Sequence, residues 1–361
     1  REKILFNYPQ IQASTSSSSR PKIGIPRVLH FYELFPYWQT FFNKLGFEVI
    51  LSPPTNQTII NRSIENVTAE TCFPIKIVHG HILELIKTQV DYIFLPSIIN
   101  LPLDHPQLEN SYLCPYVQAI PYIIKAALNQ ALKEIKVLTP VFHFGWPEEL
   151  RLKEFYQFGE ELNKTKSQVQ QALRAAEKTQ QEIEQKFVQL GEKFLANLSE
   201  KALVILSRPY NGCDPYLNLN LPKKLKDMGV QTIPIEFLPL KTIDISEQFP
   251  NLYWKYGQRI LKAVEFIKKH NNLYALYISN FACGPDSFIS HYVQDRMEGK
   301  PYLQIEVDEH SADAGIITRC EAFLDSLKNY EKLTIARQQK AKIDKEVTVL
   351  TNLTTKQTLY I

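Results

Sequence analysis

Leu273-Tyr274-Ala275-Leu276-Tyr277-Ile278-Ser279, followed closely by Phe281-Ala282-Cys283-Gly284-Pro285, decides the fold. The run is apolar almost without alternation, which predicts a strand buried on both faces, as in a parallel sheet. Pro285 marks the first turn of a helix over 285–297, and Tyr302–Val307 reads as the next strand. Strand, helix and strand in that order form a parallel unit. Working backwards, a helix over 252–269, a strand over 231–235, a helix over 216–228 and a strand over 202–206 precede it. A helix over 314–329 follows it. The same alternation occurs earlier in the chain. Lys22-Ile23-Gly24-Ile25-Pro26 opens with a strand, a helix over 32–45 ends at Gly46, and a strand over 47–51 comes next. A helix over 74–88, a strand over 92–95, a helix over 115–132 and the strand Lys136–Leu138 complete the set. The expected architecture is α/β, with two successive doubly wound parallel sheets of about four strands each.

The chain divides accordingly. Residues 1–21, with the Ser-rich stretch at 11–20, read as a flexible linker. A first α/β domain spans 22–147, and a charged, Gln-rich connector of long helices spans 148–200. A second α/β domain spans 201–330, and 331–361 is a tail.

With 361 residues, 44% hydrophobic and 22% charged, the composition is that of a soluble protein large enough for two domains. A net charge of +3 implies no nucleic-acid or other polyanionic partner. No window approaches the roughly 18 apolar residues that a membrane span needs, and Arg1 to Gln10 lack the apolar core of a signal peptide. The absence of an initiator Met suggests a piece of a longer chain. Five cysteines, an odd number without the close spacing of a disulfide scaffold, point to a reducing, cytoplasmic setting.

Three of those cysteines share a local pattern. Cys72 stands in Glu70-Thr71-Cys72-Phe73-Pro74, Cys114 in Leu113-Cys114-Pro115, and Cys283 in Phe281-Ala282-Cys283-Gly284-Pro285. Each sulfur would sit at or before a helix N-terminus, where exposed N–H groups and the positive end of the macrodipole favour a thiolate or a bound anionic cluster. Three such thiolates brought together would make an iron–sulfur site with one iron left without a cysteine. The plainer alternative for any one of them is a small buried hydrophobe. Zinc usually takes ligands from short Cys-x2-Cys knuckles, and none occurs here. Cys213, in Asn211-Gly212-Cys213-Asp214-Pro215, has the same pattern and is the ambiguous fourth, whereas Cys320 falls within a helix and reads as core.

Other candidates have ordinary alternatives. Arg27 and Arg208 end the first strand of each domain, where they would either anchor an anion such as a carboxylate or phosphate or form salt bridges. Lys76, one helical turn after Cys72, would either offset cluster charge or be solvated. His79 and His81 lie two apart on a helix, point to different faces and read as structural. Asp308, Glu309, His310 and Asp313 follow the last strand. They would bind a metal or exchange protons, unless Ser311 or Asp313 simply caps the following helix. No Gly-x-x-x-x-Gly-Lys-Ser/Thr or comparable phosphate loop is present.

Taken together, Ile23-Gly24-Ile25-Pro26-Arg27, the Cys72 segment with Ile75-Lys76 and His79-Gly80-His81, and Cys114-Pro115-Tyr116-Val117-Gln118 form one motif set. Ser207-Arg208-Pro209-Tyr210-Asn211, Ala282-Cys283-Gly284-Pro285-Asp286-Ser287-Phe288 and Asp308-Glu309-His310-Ser311-Ala312-Asp313 belong to it as well. This set resembles the 2-hydroxyacyl-CoA dehydratase family, and within it the dehydratase-like region of large acyl-CoA dehydratase activase-related proteins. Double-cubane cluster proteins are further relatives. The resemblance covers about residues 22–330.

The resemblance implies two Rossmann-like or flavodoxin-like domains and a cluster of the [4Fe–4S] or double-cubane type held by Cys72, Cys114 and Cys283. It implies an ATPase activator module, fused or separate, that delivers a low-potential electron, and a homo- or heterodimeric assembly. It also implies reductive chemistry such as dehydration of a 2-hydroxyacyl-CoA. Arg27, Arg208 and His310 are then the candidates for the substrate side. An electron-relay or cluster-carrying module without its own substrate is the alternative. A substrate pocket beside the cluster would separate the two.

Overall fold

The computed structural model describes residues 1–6 and 20–357. In chain order the elements of the first half are α1 (Glu2–Phe6), β1 (Lys22–Ile25), α2 (Phe31–Lys44), β2 (Glu48–Leu51), α3 (Gln57–Asn66), α4 (Phe73–Lys87), β3 (Tyr92–Phe94), β4 (Ser97–Asn100), α5 (Pro115–Ala127), β5 (Lys136–Leu138) and β6 (Val141–His143). Two connector helices follow, α6 (Glu148–Glu161) and α7 (Lys166–Ala196). The second half contains β7 (Ala202–Ser207), α8 (Pro209–Cys213), α9 (Leu221–Asp227), β8 (Gln231–Pro234), α10 (Lys255–Lys268), β9 (Leu273–Asn280), α11 (Gly284–Met297), β10 (Tyr302–Val307) and α12 (Asp313–Gln357).

The two halves have corresponding sheets. One has strand order β2-β1-β3-β5 and the other β10-β9-β7-β8, and every pairing is parallel. Every residue of β7 and β9 is buried, as their unbroken apolar runs require of central strands. In the second sheet the order reverses between β7 and β9, and the carboxyl ends of strands at such a point are where open α/β sheets carry their sites. A small parallel pair, β4 with β6, extends the first half.

An aromatic cluster locks the connector onto the first sheet. Trp38 of α2 stacks on Phe155 of α6 and meets Phe94 of β3 edge-on at 4.7 Å between ring centroids. Phe142 stacks on Phe155 at 4.3 Å. The long helix α7 starts with a full capping box, Thr165 with Gln168, and runs along α2. It reaches the second half where Phe187 stacks on Phe237. Gly191 makes that approach possible, because a Cβ there would lie 1.8 Å from the Phe237 carbonyl oxygen.

Both ends of the chain depart from expectation. Glu2–Phe6 is a helix packed into the core rather than linker, with Leu5 and Phe6 buried. The Ser-rich stretch expected as linker lies almost entirely outside the described residues. At the other end, α12 continues through the expected tail to Gln357. The segment 96–113, between β3 and α5, contains β4.

Candidate functional site

Cys72, Cys114 and Cys283 are the N-cap residues of α4, α5 and α11, each with proline in the first turn. All three are buried and none is in a disulfide. The chain brings them into one neighbourhood from three directions. Cys283 follows β9 at the carboxyl edge of the second sheet, and Arg208 follows the adjacent β7. Cys114 is carried across from the first half. Tyr112 bridges Trp254, with the Tyr112 amide donating to the Tyr253 carbonyl at 2.8 Å and the Lys255 amide donating back to Tyr112 at 3.0 Å. Electrostatic coupling links Cys72 with Cys114 and with Cys283, and the buried Tyr210 feels all three.

A buried ion pair accompanies the cysteines. Arg208 donates from Nη2 to Asp286 Oδ1 at 2.6 Å and from Nε to Oδ2 at 3.2 Å, and both side chains are only 2% exposed. The fork geometry fixes the guanidinium plane beside the cysteines. Burial outweighs the helix ends in setting the thiol state. It pushes Cys72 up to about 12, reinforced by the neighbouring Cys114, against the Ile75 amide and Arg208. It also holds Cys283 above the ordinary thiol range, against the pull of Arg208. Without a bound cation these are thiols rather than the thiolates expected at helix N-termini. A bound metal reverses that balance, because a coordinating thiol loses its proton.

Other predicted residues have different roles. Arg27 pairs with Glu2 at 2.8 Å and lies over the Phe6 ring at 4.3 Å, so it fastens α1. Arg208 is likewise occupied by Asp286. The His310 side chain is 81% exposed, with Nε2 3.8 Å from Glu309. Lys76 is neither solvated nor free to balance a cluster. It donates to Glu70 at 2.6 Å and to Glu309 at 2.5 Å, and so ties α4 to the loop after β10. In that loop, Ser311 hydrogen-bonds Asp308 at 2.8 Å. Asp313 opens α12, and its side chain lies outside the described residues. Cys213 lies among Arg1, Glu2 and Glu236, and burial raises it to about 11. Cys320 is buried in α12.

His81 belongs to a buried polar chain that the sequence does not announce. Its Nδ1 meets Ser52 Oγ at 2.8 Å and its Nε2 meets Thr55 Oγ1 at 3.1 Å. Thr55 and Tyr32 both donate to Asp214 of the second half, Tyr32 at 2.8 Å. His79 Nδ1 lies 2.9 Å from the Lys76 carbonyl.

Burial drives both His81 and His30 down to about 3. Their folded values lie below the ordinary 6.5. Their contribution to stability is therefore complete above about pH 6.5 and is lost as pH falls towards about 3. Neither ring nitrogen of His30 has a hydrogen-bond partner, so His30→Leu removes one titration and breaks no bond. Urea unfolding near pH 7 and near pH 5 should show the loss of stability reduced by about 2 kcal/mol in the variant. An unchanged loss would contradict the buried, neutral imidazole.

A cavity of about 620 Å³ lies between α2, α7, α10 and the segment 101–104. None of the three cysteines lines it. Its buried cations, Lys255, Arg259 and Lys262, were not expected from the sequence. The available signal was three cations at helical spacing, i, i+4 and i+7, on a helix with an apolar face.

The family of CoA enzyme activase uncharacterised domains (DUF2229) matches residues 22–238. The chain belongs to this family. The match takes in Cys72, Cys114, Arg208 and Cys213, and it ends before Cys283. This activase-domain chain matches no protein of curated description. In shape it is similar to the laminin-binding protein of Streptococcus pyogenes, at 10% identity and a TM-score of 0.25, covering 86% of this chain and 98% of that one. The AdcAII protein of Streptococcus pneumoniae gives 11% identity and a TM-score of 0.27 over the same shares. Likeness that weak carries no argument about this activase-domain chain. No helix among the described residues is long and apolar enough to cross a membrane.

The donor chemistry is that of soft thiol ligands, which iron–sulfur clusters take. Among the described residues no three His, Cys, Asp or Glu side chains are placed to hold a single metal ion. A cubane spreads its ligand sulfurs over separate irons, so its donors stand further apart. Three thiols free of disulfides, three helix N-termini and one guanidinium offer soft ligands and positive potential together.

Proposed function

We propose that Cys72, Cys114 and Cys283 hold an iron–sulfur cluster, of the [4Fe–4S] or double-cubane type, and that the chain accepts low-potential electrons from an ATP-dependent activator. The reading rests on one observation: three buried N-cap cysteines from separate elements share the neighbourhood of Tyr210 and the Arg208–Asp286 pair. When bound, such a cluster supplies one-electron transfer at low potential. The protein's part is to supply three thiolates, oriented amide N–H groups at three helix ends and a fixed guanidinium, and to exclude water through burial.

Of the two versions of this function, the electron relay is favoured over a 2-hydroxyacyl-CoA dehydratase. A substrate-handling site would need an anion anchor or acid–base group beside the cysteines, and the two arginine candidates already have carboxylate partners. Arg27 is taken by Glu2, Arg208 by Asp286, and His310 points to solvent. The large cavity lies away from the cysteines.

A partner surface fits the same reading. Exposed rings flank the cysteines: Tyr116 two residues after Cys114, Phe281 two before Cys283, and Phe288 on the first turns of α11. Tyr112 and Tyr253 join them through Trp254, which meets Phe288 at 5.6 Å. Aromatic side chains gathered on one exposed face are the usual composition of an interface core. An activator seated there would be close to the cluster.

The test is ATP dependence. Chain loaded with iron under anaerobic conditions is mixed with its activator and a low-potential reductant, and cluster reduction is followed optically. Reduction should occur with ATP and stall without it. Equal rates with and without ATP would refute the coupling.

A further inference from the structure

Helix α10 carries Lys255, Arg259 and Lys262 on one buried face, and all three line the 620 Å³ cavity. Such a face is ordinarily apolar, so each cation needs a reason. Lys255 has two acceptors, the Pro102 carbonyl at 2.6 Å and Asp104 Oδ1 at 2.5 Å. Arg259 donates from Nη2 to Glu33 at 2.5 Å, but its buried Nη1 has no partner. Lys262 is 1% exposed, its Nζ makes no hydrogen bond, and its nearest carboxylate oxygen is Asp104 Oδ2 at 3.6 Å. Asp104 is thus shared, Oδ1 with Lys255 and Oδ2 with Lys262.

The other charges around the cavity cancel. Arg1 faces Glu236 at 3.0 Å, Arg151 faces Glu177 at 3.0 Å, and Lys241 faces Glu184 at 3.9 Å. With Glu33 assigned to Arg259 and Asp104 shared by Lys255 and Lys262, the lining holds Arg1, Arg151, Lys241, Lys255, Arg259 and Lys262 against Glu33, Asp104, Glu177, Glu184 and Glu236, one cation in excess. Buried cations that share one carboxylate are stabilised by a further bound counter-charge. The rest of the wall includes Leu101, Leu103, Phe144 and Phe187. Apolar walls with a few convergent polar groups, at this volume, are the usual make-up of a small-molecule site.

We propose that this cavity binds a small organic carboxylate, a monoanion whose head meets Lys262 and the free edge of Arg259 and whose apolar body lies along the leucine and phenylalanine wall. One surplus positive charge selects a monoanion, and the wall selects an apolar chain behind it. The site is separate from the cysteines and does not depend on a cluster, so iron-free chain is sufficient for the test.

Calorimetric titration of the 361-residue chain with octanoate, octan-1-ol and inorganic phosphate distinguishes the ligand classes. Octanoate should bind with a Kd below about 1 mM, and octanol and phosphate each at least about ten-fold more weakly. Lys262→Met keeps the length of the side chain, removes the surplus charge and should weaken octanoate at least about ten-fold. Leu103→Trp, at a partly exposed wall position that tolerates change, should also weaken it by crowding the cavity. It serves as the test if Lys262→Met fails to fold. No octanoate binding at about 10 mM would overturn the proposal. So would octanoate binding that neither variant weakens. Phosphate binding tighter than octanoate would assign the cavity to an inorganic anion and overturn it equally.

Discussion

Serine at Cys72, Cys114 or Cys283 should reduce iron incorporation to near background, whereas Cys213→Ser should leave it unchanged. Each of the three sulfurs caps a different helix and comes from a different part of the chain, so no neighbouring thiol can replace a lost one. Cys213 is buried among Arg1, Glu2 and Glu236. The measurement is iron and sulfide per chain after anaerobic reconstitution of each variant, with circular dichroism to confirm folding. Equal loss at all four positions would indicate a four-cysteine cluster and would contradict the three-cysteine ligand set. Full iron retention in any of the three serine variants would remove that residue from the ligand set.

The second large effect is on stability. Asp286→Ala should cost about 3–5 kcal/mol, because it leaves the Arg208 guanidinium buried without its counter-charge. Both members of the pair are 2% exposed, so water cannot replace the carboxylate. Urea unfolding of the iron-free chain gives the number. The double variant Arg208→Met with Asp286→Leu should recover most of the loss, since apolar residues of similar volume remove the unpaired charge along with its partner. A loss below about 1 kcal/mol in Asp286→Ala would mean that Arg208 has another acceptor or reaches solvent.

How far the sequence reveals this molecule depends on how local each signal is. The strands β7 and β9 are legible to within a residue or so, because a strand covered on both faces must be continuously apolar. By contrast, β4 and β6 are three or four residues long, and Ser97-Ile98-Ile99-Asn100 looks no different from loop. The helix expected over 216–228 begins regularly only at Leu221. Ahead of it the Asp214 carboxylate accepts from the amides of Tyr216 and Leu217, and Leu219 and Asn220 take left-handed backbone angles.

The cysteine positions are legible because proline after a cysteine is a local mark of a helix start. Pairing at a distance is not legible. Nothing near Arg27 indicates that Glu2 and Phe6 will occupy it, and Lys76 finds Glu309 across 233 residues of chain. The surplus positive charge of the cavity becomes visible only when its lining cations and carboxylates are seen together, with Asp104 shared by Lys255 and Lys262.

The most direct test of the central claim is electron paramagnetic resonance on chain reconstituted anaerobically with iron and sulfide and then reduced, read together with iron and sulfide content. The account predicts about four irons and four sulfides per cubane and the signal of a reduced cubane cluster, with one iron open to added small ligands that shift the spectrum. Chain that folds, carries reduced thiols and takes up no iron would contradict it.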